Sequence, residues 1–340
     1  MSGRSWVWPA AVAASLAAVI VGTLVGPVRL PLGGILTEVA DRLPLVHVRS
    51  GLDEREAAIL WQIRLPRVVL GFVVGSMLSV AGTAYQGVFR NPLADPYLLG
   101  AAAGAGLGAT LVITGGVQAG LGPLAPLPVA AFVGALVAVS LTYSVGTGRD
   151  RRSTASLLLA GVAVTSLLTA VQTYLQQRSD DTVRQVYSWI LGRLSTAAWA
   201  DVVVGLPWAV LATVVVFLHR RNLDVLAVGD EEATTLGLRV DRTRLVVVAA
   251  ASLGTAAAVA VSGLIGFVGI IVPHTVRLMV GTGHRSVLPL ALVLGGGFLV
   301  AADLAARTVA SPGEIPIGVV TALVGAPFFL VLLAQRHRDP

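Results

Sequence analysis

Charged side chains concentrate in one short segment, residues 223–244, of a chain that is only 12% charged. The segment holds five carboxylates and three guanidinium groups: Asp224, Asp230, Glu231, Glu232, Arg239, Asp241, Arg242 and Arg244. Groups of this kind form ion pairs at an aqueous surface, and they are costly to place in hydrocarbon. The segment therefore lies at a water-exposed face, although long apolar stretches flank it on both sides.

The same segment predicts two short amphipathic helices separated by Gly229. Asp230 is the expected N-cap of the second helix, and Gly237 is the expected stop, because glycine commonly follows a helix end. An apolar stripe is predicted along the surface of this segment, formed by Leu226, Val228, Ala233 and Leu236. An exposed apolar stripe needs a partner, so the segment predicts a contact with another protein.

A second group of polar residues follows one face of an apolar stretch. Thr165, Thr169, Gln172 and Gln176 lie at i, i+4, i+7 and i+11, which is one continuous face of a helix. Polar side chains inside a membrane helix face either a neighbouring helix or a cavity. Interhelical hydrogen bonding and the lining of a transport pathway therefore both remain open, and Gln86 has the same two interpretations.

The segment GVFRNPLADPYLLG, residues 87–100, interrupts the next apolar stretches with Pro92 and Pro96. Proline prevents regular helix and leaves backbone carbonyls free. Irregular backbone at membrane depth is tolerated only inside protein or along a water-filled cavity. The segment predicts a constriction lined by Asn91 and Leu93, with a plain tight turn as the alternative.

Three arginines lie at the ends of apolar stretches away from this turn. Arg64 and Arg67 are at i and i+3, and Arg307 follows Asp303 by one helical turn. Such side chains either extend to lipid phosphates or form a basic rim for the acidic groups of a docking protein. The spacing of the residues does not choose between these roles.

Several kinds of chemistry are excluded by what the sequence lacks. There is no Cys and no Lys, so thiolate chemistry and a lysine-containing phosphate loop are absent. The five His residues are scattered, with no HExxH pattern, and no metal site is predicted. No Ser/His pair is evident, and the chain is not predicted to be an enzyme. The net charge of +6 is spread over loops, which does not indicate a nucleic-acid partner.

The 340 residues are 55% hydrophobic with a mean hydropathy of +0.83, which indicates an all-α polytopic membrane protein. Residues 1–340 form one predicted domain. Spans of about twenty apolar residues are predicted at 6–26, 67–86, 98–115, 126–145, 154–175, 200–219, 245–261, 264–280, 286–306 and 316–334. The second, third and eighth spans are rich in Gly and Pro, and we expect them to be irregular.

Ten spans place both termini on the same side of the membrane. With the termini inside, fourteen of the 24 arginines fall on the inner side. Because inner loops are enriched in basic residues, this bias predicts cytoplasmic termini and a cytoplasmic 223–244 segment. The expected location is the bacterial cytoplasmic (inner) membrane.

Five blocks of this sequence closely resemble the FecCD-like ABC importer permeases for ferric siderophores, haem and vitamin B12. They are residues 64–100, 153–164, 228–238, 262–285 and 313–333, and the likeness extends in order over nearly all of residues 60–335. The resemblance implies a type II importer permease fold with ten transmembrane helices. It also implies a homodimer, two cytoplasmic ATPase subunits and one extracytoplasmic substrate-binding protein. ATP and Mg²⁺ would bind to the ATPase, and this chain would bind no cofactor directly.

The resemblance also assigns roles to individual residues. It makes 223–240 the coupling helices that contact the ATPase. The residues expected there are Asp224, Asp230, Glu231, Ala233, Leu236 and Gly237. The resemblance assigns docking of the binding protein to Arg64, Arg67 and Arg307, and the cytoplasmic gate to Asn91, Leu93 and Thr154. The residues Thr165, Thr169, Gln172 and Gln176 are then expected along the pathway.

The main alternative is an ion-coupled secondary transporter of a small solute. Such a transporter requires a mid-membrane acidic residue or histidine that binds the coupling ion. Asp303 is the one convincing candidate, and Arg307 would neutralise it. We therefore expect an ATP-driven importer, with an iron chelate the favoured substrate and cobalamin the second.

Overall fold

Helices make up all the regular secondary structure in the residues that the computed structural model describes, 6–42, 50–117, 125–147, 154–178 and 182–336. The α-helices are α1 (Val7–Leu24), α2 (Leu32–Asp41), α3 (Glu54–Ala58), α4 (Leu65–Val88), α5 (Ala101–Thr114), α6 (Pro126–Gly146), α7 (Thr154–Gln177), α8 (Val183–Ile190), α9 (Trp199–Leu218), α10 (Arg220–Leu226), α11 (Asp230–Thr235), α12 (Val240–Ser262), α13 (Val268–Val280), α14 (His284–Thr308) and α15 (Ile317–Arg336). A π-helical stretch, Ile59–Arg64, leads directly into α4.

Seven helices in this described part are long and apolar enough to cross a membrane, and α5, α13 and α15 are shorter apolar helices. Each of the ten predicted spans coincides with one of these helices. The structure therefore confirms an all-α, multi-pass membrane protein. The two termini, which the sequence predicts to be cytoplasmic, comprise residues 1–5 and 337–340 and lie outside the described residues.

The expected irregularity appears in two of the three spans. The third and eighth spans form the short helices α5 and α13, which follow Gly100 (φ 83°) and Phe267 (φ 68°) in left-handed backbone. The prediction was wrong for the second span, since α4 is unbroken from Leu65 to Val88. The glycines of α4 serve close packing against its neighbours and do not interrupt the helix.

Three helices form the centre of the bundle. α4, α12 and α14 are largely buried, and α4 packs against α12, α13 and α14. By contrast, α1, α6, α7 and α9 leave most of their surface uncovered. In a membrane protein such uncovered apolar surface faces either lipid or another protein chain.

Glycine pairs bring the central helices into backbone contact. A methyl group added at Gly75 would overlap the carbonyl oxygen of Gly295, and one added at Gly82 would overlap that of Gly269. The same relation holds between α5 and α6, where Gly104 meets Gly134. Small residues let membrane helices approach closely and gain van der Waals contact, which is their main source of association energy.

We predict that Gly82→Ala will destabilise the protein by about 1–3 kcal/mol, because α4 and α13 must separate to admit the methyl group. Unfolding in detergent by a chemical denaturant would measure the change. Gly33→Ala in α2 is the matched control, since no atom lies within 4 Å of its added Cβ. Equal stability of the two variants would show that the Gly82 contact is not tightly packed.

The bundle has two polar ends. The insert face carries α10, α11, the end of α4 and the beginnings of α12 and α14. The opposite face carries the end of α1, the beginning of α4 and the end of α14, which meet through Arg64, Arg67 and Arg307. The two sets of candidate residues therefore lie at opposite ends of the same long helices.

Candidate functional site

The charged insert folds as two short helices, as the sequence predicts. Gly229 separates α10 from α11 with a φ of 128°, and Gly237 follows α11 with a φ of 85°. The N–H groups of Gly237 and Leu238 donate to the carbonyls of Thr234 and Ala233, which is the Schellman arrangement of a helix end. The predicted stop at Gly237 is confirmed.

Asp230 does not have the predicted capping role. Gly229 is the N-cap, and Asp230 is the first residue of α11. Its carboxylate accepts hydrogen bonds from Arg244 Nη2 at 3.1 and 3.0 Å, and it lies 3.2 Å from Arg90 Nη2. The prediction was wrong because a long-range ion pair, rather than the local backbone, binds this carboxylate.

The predicted apolar stripe divides between the interior and the surface. Leu226 and Ala233 are fully buried, whereas Val228 and Leu236 are 59% and 69% exposed. Ala233 therefore has no surface to offer another chain, and its expected contact with an ATPase is indirect at most. Leu236 is the exposed large apolar side chain at the end of α11, directly before the exposed Gly237, and Glu231 within α11 is also exposed.

Asp224 attaches α10 to the beginning of α14. Its Oδ1 accepts the backbone N–H of His284 at 2.8 Å and lies 2.7 Å from His284 Nδ1. His284 is buried, and its ring also packs against Gly87 near the end of α4. A carboxylate at a helix N-terminus is stabilised by the free N–H groups there. A displacement of α10 would therefore be transmitted to both α14 and α4.

The turn after α4 is ordered by its own side chains. Asn91 Oδ1 accepts the N–H of Leu93 at 3.0 Å, and Asp95 Oδ1 accepts the N–H of Tyr97 at 2.7 Å. The Tyr97 hydroxyl donates to the carbonyl of Ile265 at 3.0 Å, which fixes the turn to the segment before α13. Burial raises the pKa of the Asp95 carboxyl to about 6. The irregular backbone is confirmed, and a gate role for Asn91 and Leu93 stays a prediction.

The four polar residues of α7 have different surroundings. Gln172 is buried and its side-chain amide lies against Gly106 of α5, while the Thr165 hydroxyl lies near Gly100. Thr169 is exposed and Gln176 is half-buried. Interhelical packing therefore accounts for Gln172 and Thr165, and pathway lining stays a prediction that Thr169 fits best. Thr154 is the first residue of α7, and its side chain lies outside the described part.

Gln86 also serves packing between helices. Its Nε2 donates to the carbonyl of Gly269 at 3.1 Å, and its Oε1 accepts from Arg277. Both partners lie on α13, so this side chain holds α4 and α13 together. Of its two interpretations, the geometry favours interhelical hydrogen bonding.

The arginines of the opposite face are buried and have internal partners. Arg67 donates hydrogen bonds to two carboxylates, that of Asp303 at 2.9–3.0 Å and that of Glu314 at 2.9–3.0 Å. Arg307 lies 3.5 Å from Asp303 through Nε and bonds the carbonyl of Gly22 at 2.5 Å. Arg64 donates to backbone carbonyls, those of Thr23, Leu24 and Val28.

The structure therefore does not show the exposed basic rim that the sequence suggests. Arg64, Arg67 and Arg307 are 3%, 6% and 2% exposed, because their donors are used to join the ends of α1, α4 and α14. Docking through these side chains stays a prediction, and it requires them to exchange internal acceptors for acidic groups of a partner. Asp303 is held by two arginines, which disfavours it as the binding site of a coupling ion.

Sequence reasoning missed three partners in these clusters. Arg90, Arg244 and Glu314 complete the ion pairs of Asp230 and Arg67. The signal available for Arg90 was its position directly before the NPLADP turn. No group of three or more His, Cys, Asp or Glu residues able to hold a metal occurs in the described residues.

Comparisons with known proteins agree with this architecture. The model of the FecCD transport family matches residues 14–335. The chain is 41% identical to the cobalamin import system permease protein BtuC of Halobacterium salinarum, over 99% of this chain and 98% of that protein. It is also 41% identical to the hemin transport system permease protein HmuU of Yersinia pestis, over 82% and 84% of the two chains.

A solved structure shows the same fold. It is an inward-facing metal-chelate type ABC transporter, with 27% identity, a TM-score of 0.82 and coverage of 96% of this chain and 98% of that one. The family match covers almost the whole chain, and the relatives match over most of their own length. The chain belongs to the FecCD transport family.

Proposed function

We propose that this chain is the membrane permease of an ATP-driven importer for a metal chelate or a corrinoid. The observation that carries the proposal is the family match over residues 14–335. The relatives that support a substrate of this kind include a cobalamin permease and a hemin permease. A large bound chelate needs a weakly polar path, and α5, α7, α13 and α15 contain no acidic residue. An iron chelate stays the favoured substrate, with cobalamin second.

In this proposal the ATPase binds at the insert face. The chain has no lysine-containing phosphate loop of its own, so ATP must bind to a separate subunit. The contact for that subunit is the α10–α11 pair, residues 220–235, with the exposed Leu236 at its end. ATP binding would then move α10 and α11, and a central path would open alternately to the two sides of the membrane.

The proposed assembly is a homodimer in the bacterial inner membrane, with both termini and the insert face in the cytoplasm. The uncovered sides of α7 and α15 support a dimer contact, since they expose large apolar side chains such as Leu159, Leu167 and Leu323. The substrate-binding protein would dock at the opposite face. The proposed pathway follows the dimer axis beside Thr169.

Uptake by reconstituted vesicles tests the proposal. The chain is co-expressed with a candidate ATPase and a candidate binding protein from its own genome, and radiolabelled haem, ferric siderophore and cobalamin are offered separately. We expect ATP-dependent uptake of one of them, and no uptake with a non-hydrolysable ATP analogue. Uptake driven by a proton gradient without ATP would overturn the assignment and support an ion-coupled transporter.

A further inference from the structure

Arg90 occupies a backbone position that arginine seldom adopts. It follows the end of α4 with a φ of 49°, in the left-handed region that favours glycine. The N–H of Asn91 donates to the carbonyl of Gln86 at 3.2 Å, so Arg90 is in the usual place of a glycine helix stop. A glycine would suit this backbone better, so the reason for an arginine here must lie in its side chain.

The Arg90 side chain reaches α11. Its Nη2 lies 3.2 Å from Asp230 Oδ1, and its Nη1 lies near Gly229. On its other side, Asp230 is held by Arg244, whose side chain is only 5% exposed and which belongs to α12. One carboxylate of α11 thus connects the end of α4 with the beginning of α12. A buried guanidinium cannot lose its partner cheaply, so α11 and α12 stay joined when α11 moves.

The next residue begins the turn that the sequence predicts to be a gate. Asn91 follows Arg90 directly, and its side chain fixes the backbone of Leu93. The turn is ordered by such internal hydrogen bonds, and the Arg90 side chain attaches its beginning to α11. The turn is also held to the segment before α13 by Tyr97, and its contact with α11 is the Arg90–Asp230 ion pair.

We propose that the Arg90–Asp230 ion pair is a positioning contact that transmits movement of α11 to the turn 91–100. The inference rests on the proposed function, in which an ATPase moves α10 and α11. Arg90 touches neither ATP nor substrate. Its removal should leave ATP hydrolysis in place and abolish the response of the turn.

The chain contains no cysteine, so a single reporter can be placed in the turn. Leu93→Cys is made in the full complex with the ATPase, and its labelling rate by a maleimide dye is compared without nucleotide and with ATP and vanadate. The label is read on this chain after gel separation. We expect the rate to change by about fivefold or more in this parent. Adding Arg90→Gly should abolish the change while ATP hydrolysis continues.

Controls separate coupling from folding. Arg90→Gly should unfold at the same temperature as the parent or higher, because glycine suits the left-handed backbone. Arg90→Asn, also tolerated there, should lose the response in the same way. Arg90→Lys keeps the charge and should keep most of the response. Arg285→Ala removes an exposed charge from the same face and should respond as the parent does.

Two results would overturn the inference. In the first, Arg90→Gly and Arg90→Asn respond to nucleotide as the parent does. In the second, the parent binds the ATPase but its turn gives no nucleotide response. A chain that binds no ATPase at all would instead refute the proposed function, and the inference would fall with it.

Discussion

Arg67→Met will lower the free energy of unfolding of the isolated chain by about 3–5 kcal/mol. Arg67 is 6% exposed and holds two carboxylates, Asp303 of α14 and Glu314 beyond it. Methionine keeps the apolar stem but leaves Asp303 buried with Arg307 at 3.5 Å as its remaining charged neighbour. Asp303 would keep only this longer contact and would lose the hydrogen bonds that Arg67 donates to it. A buried carboxylate left without its hydrogen bonds costs far more than the net gain of the original pair.

Denaturant unfolding of the detergent-solubilised chain, with no binding protein present, measures this loss. Arg42→Met is the matched control. Arg42 also pairs with a glutamate, Glu38 at 3.5 Å, but its side chain is 61% exposed. We expect it to cost about 1 kcal/mol or less, because the Arg42 guanidinium is solvated. Glu38, whose side chain is 8% exposed, keeps the hydrogen bond that Trp61 Nε1 donates at 2.8 Å.

The same pair of variants tests the docking role of the opposite face. If Arg67→Met is as stable as Arg42→Met and loses only the stimulation of ATPase activity by the binding protein, the arginine acts in docking. A large loss of stability in the isolated chain would assign Arg67 to the structure of the permease. The burial and double pairing of Arg67 support the second outcome.

The features that the sequence predicted well are those with local causes. Membrane spans follow from runs of apolar residues, and each predicted span coincides with a helix. The α11 stop at Gly237 follows from the freedom of glycine to adopt left-handed backbone. The position of the 91–100 turn follows from two prolines that cannot continue a helix. None of these requires knowledge of a distant neighbour.

The features that the sequence could not predict depend on distant partners. Arg67 and Asp303 are 236 residues apart, and no local pattern indicates that they meet. The ion pair of Asp230 with Arg244 likewise overrode a reasonable expectation of N-capping. Arginines at helix ends are usually solvated, so three buried ones were not expected. Their burial follows from how α1, α4 and α14 pack.

The orientation of α11 was half predictable. An amphipathic pattern indicates that one side is apolar, but it does not tell which apolar residues the rest of the chain will cover. Packing against α10 and α12 buries Ala233 and leaves Leu236 exposed. This distinction matters, since only an uncovered side chain can form a direct contact with another subunit. A mutation of Leu236 is therefore a more direct test of the ATPase contact than a mutation of Ala233.

Leu236→Asp should reduce the amount of ATPase that co-purifies with the permease by more than about tenfold. The substitution introduces a charge into an apolar contact, where an unpaired charge costs several kcal/mol, and each 1.4 kcal/mol is a tenfold change in affinity. Because Leu236 is 69% exposed in the isolated chain, the fold itself should be unaffected. The unfolding temperature of the permease alone should therefore equal that of the parent.

Leu236→Met is the matched control, since methionine keeps an apolar side chain of similar volume at the same place. It should retain ATPase binding and substrate uptake. Normal co-purification and uptake with Leu236→Asp would show that the ATPase binds elsewhere on the insert face, with Val228 the next exposed apolar side chain to test. Loss of binding with an unchanged unfolding temperature would instead show that the fold, including the buried side of α11 that carries Ala233, is intact. The ATPase would then derive most of its binding energy from the exposed side of α11.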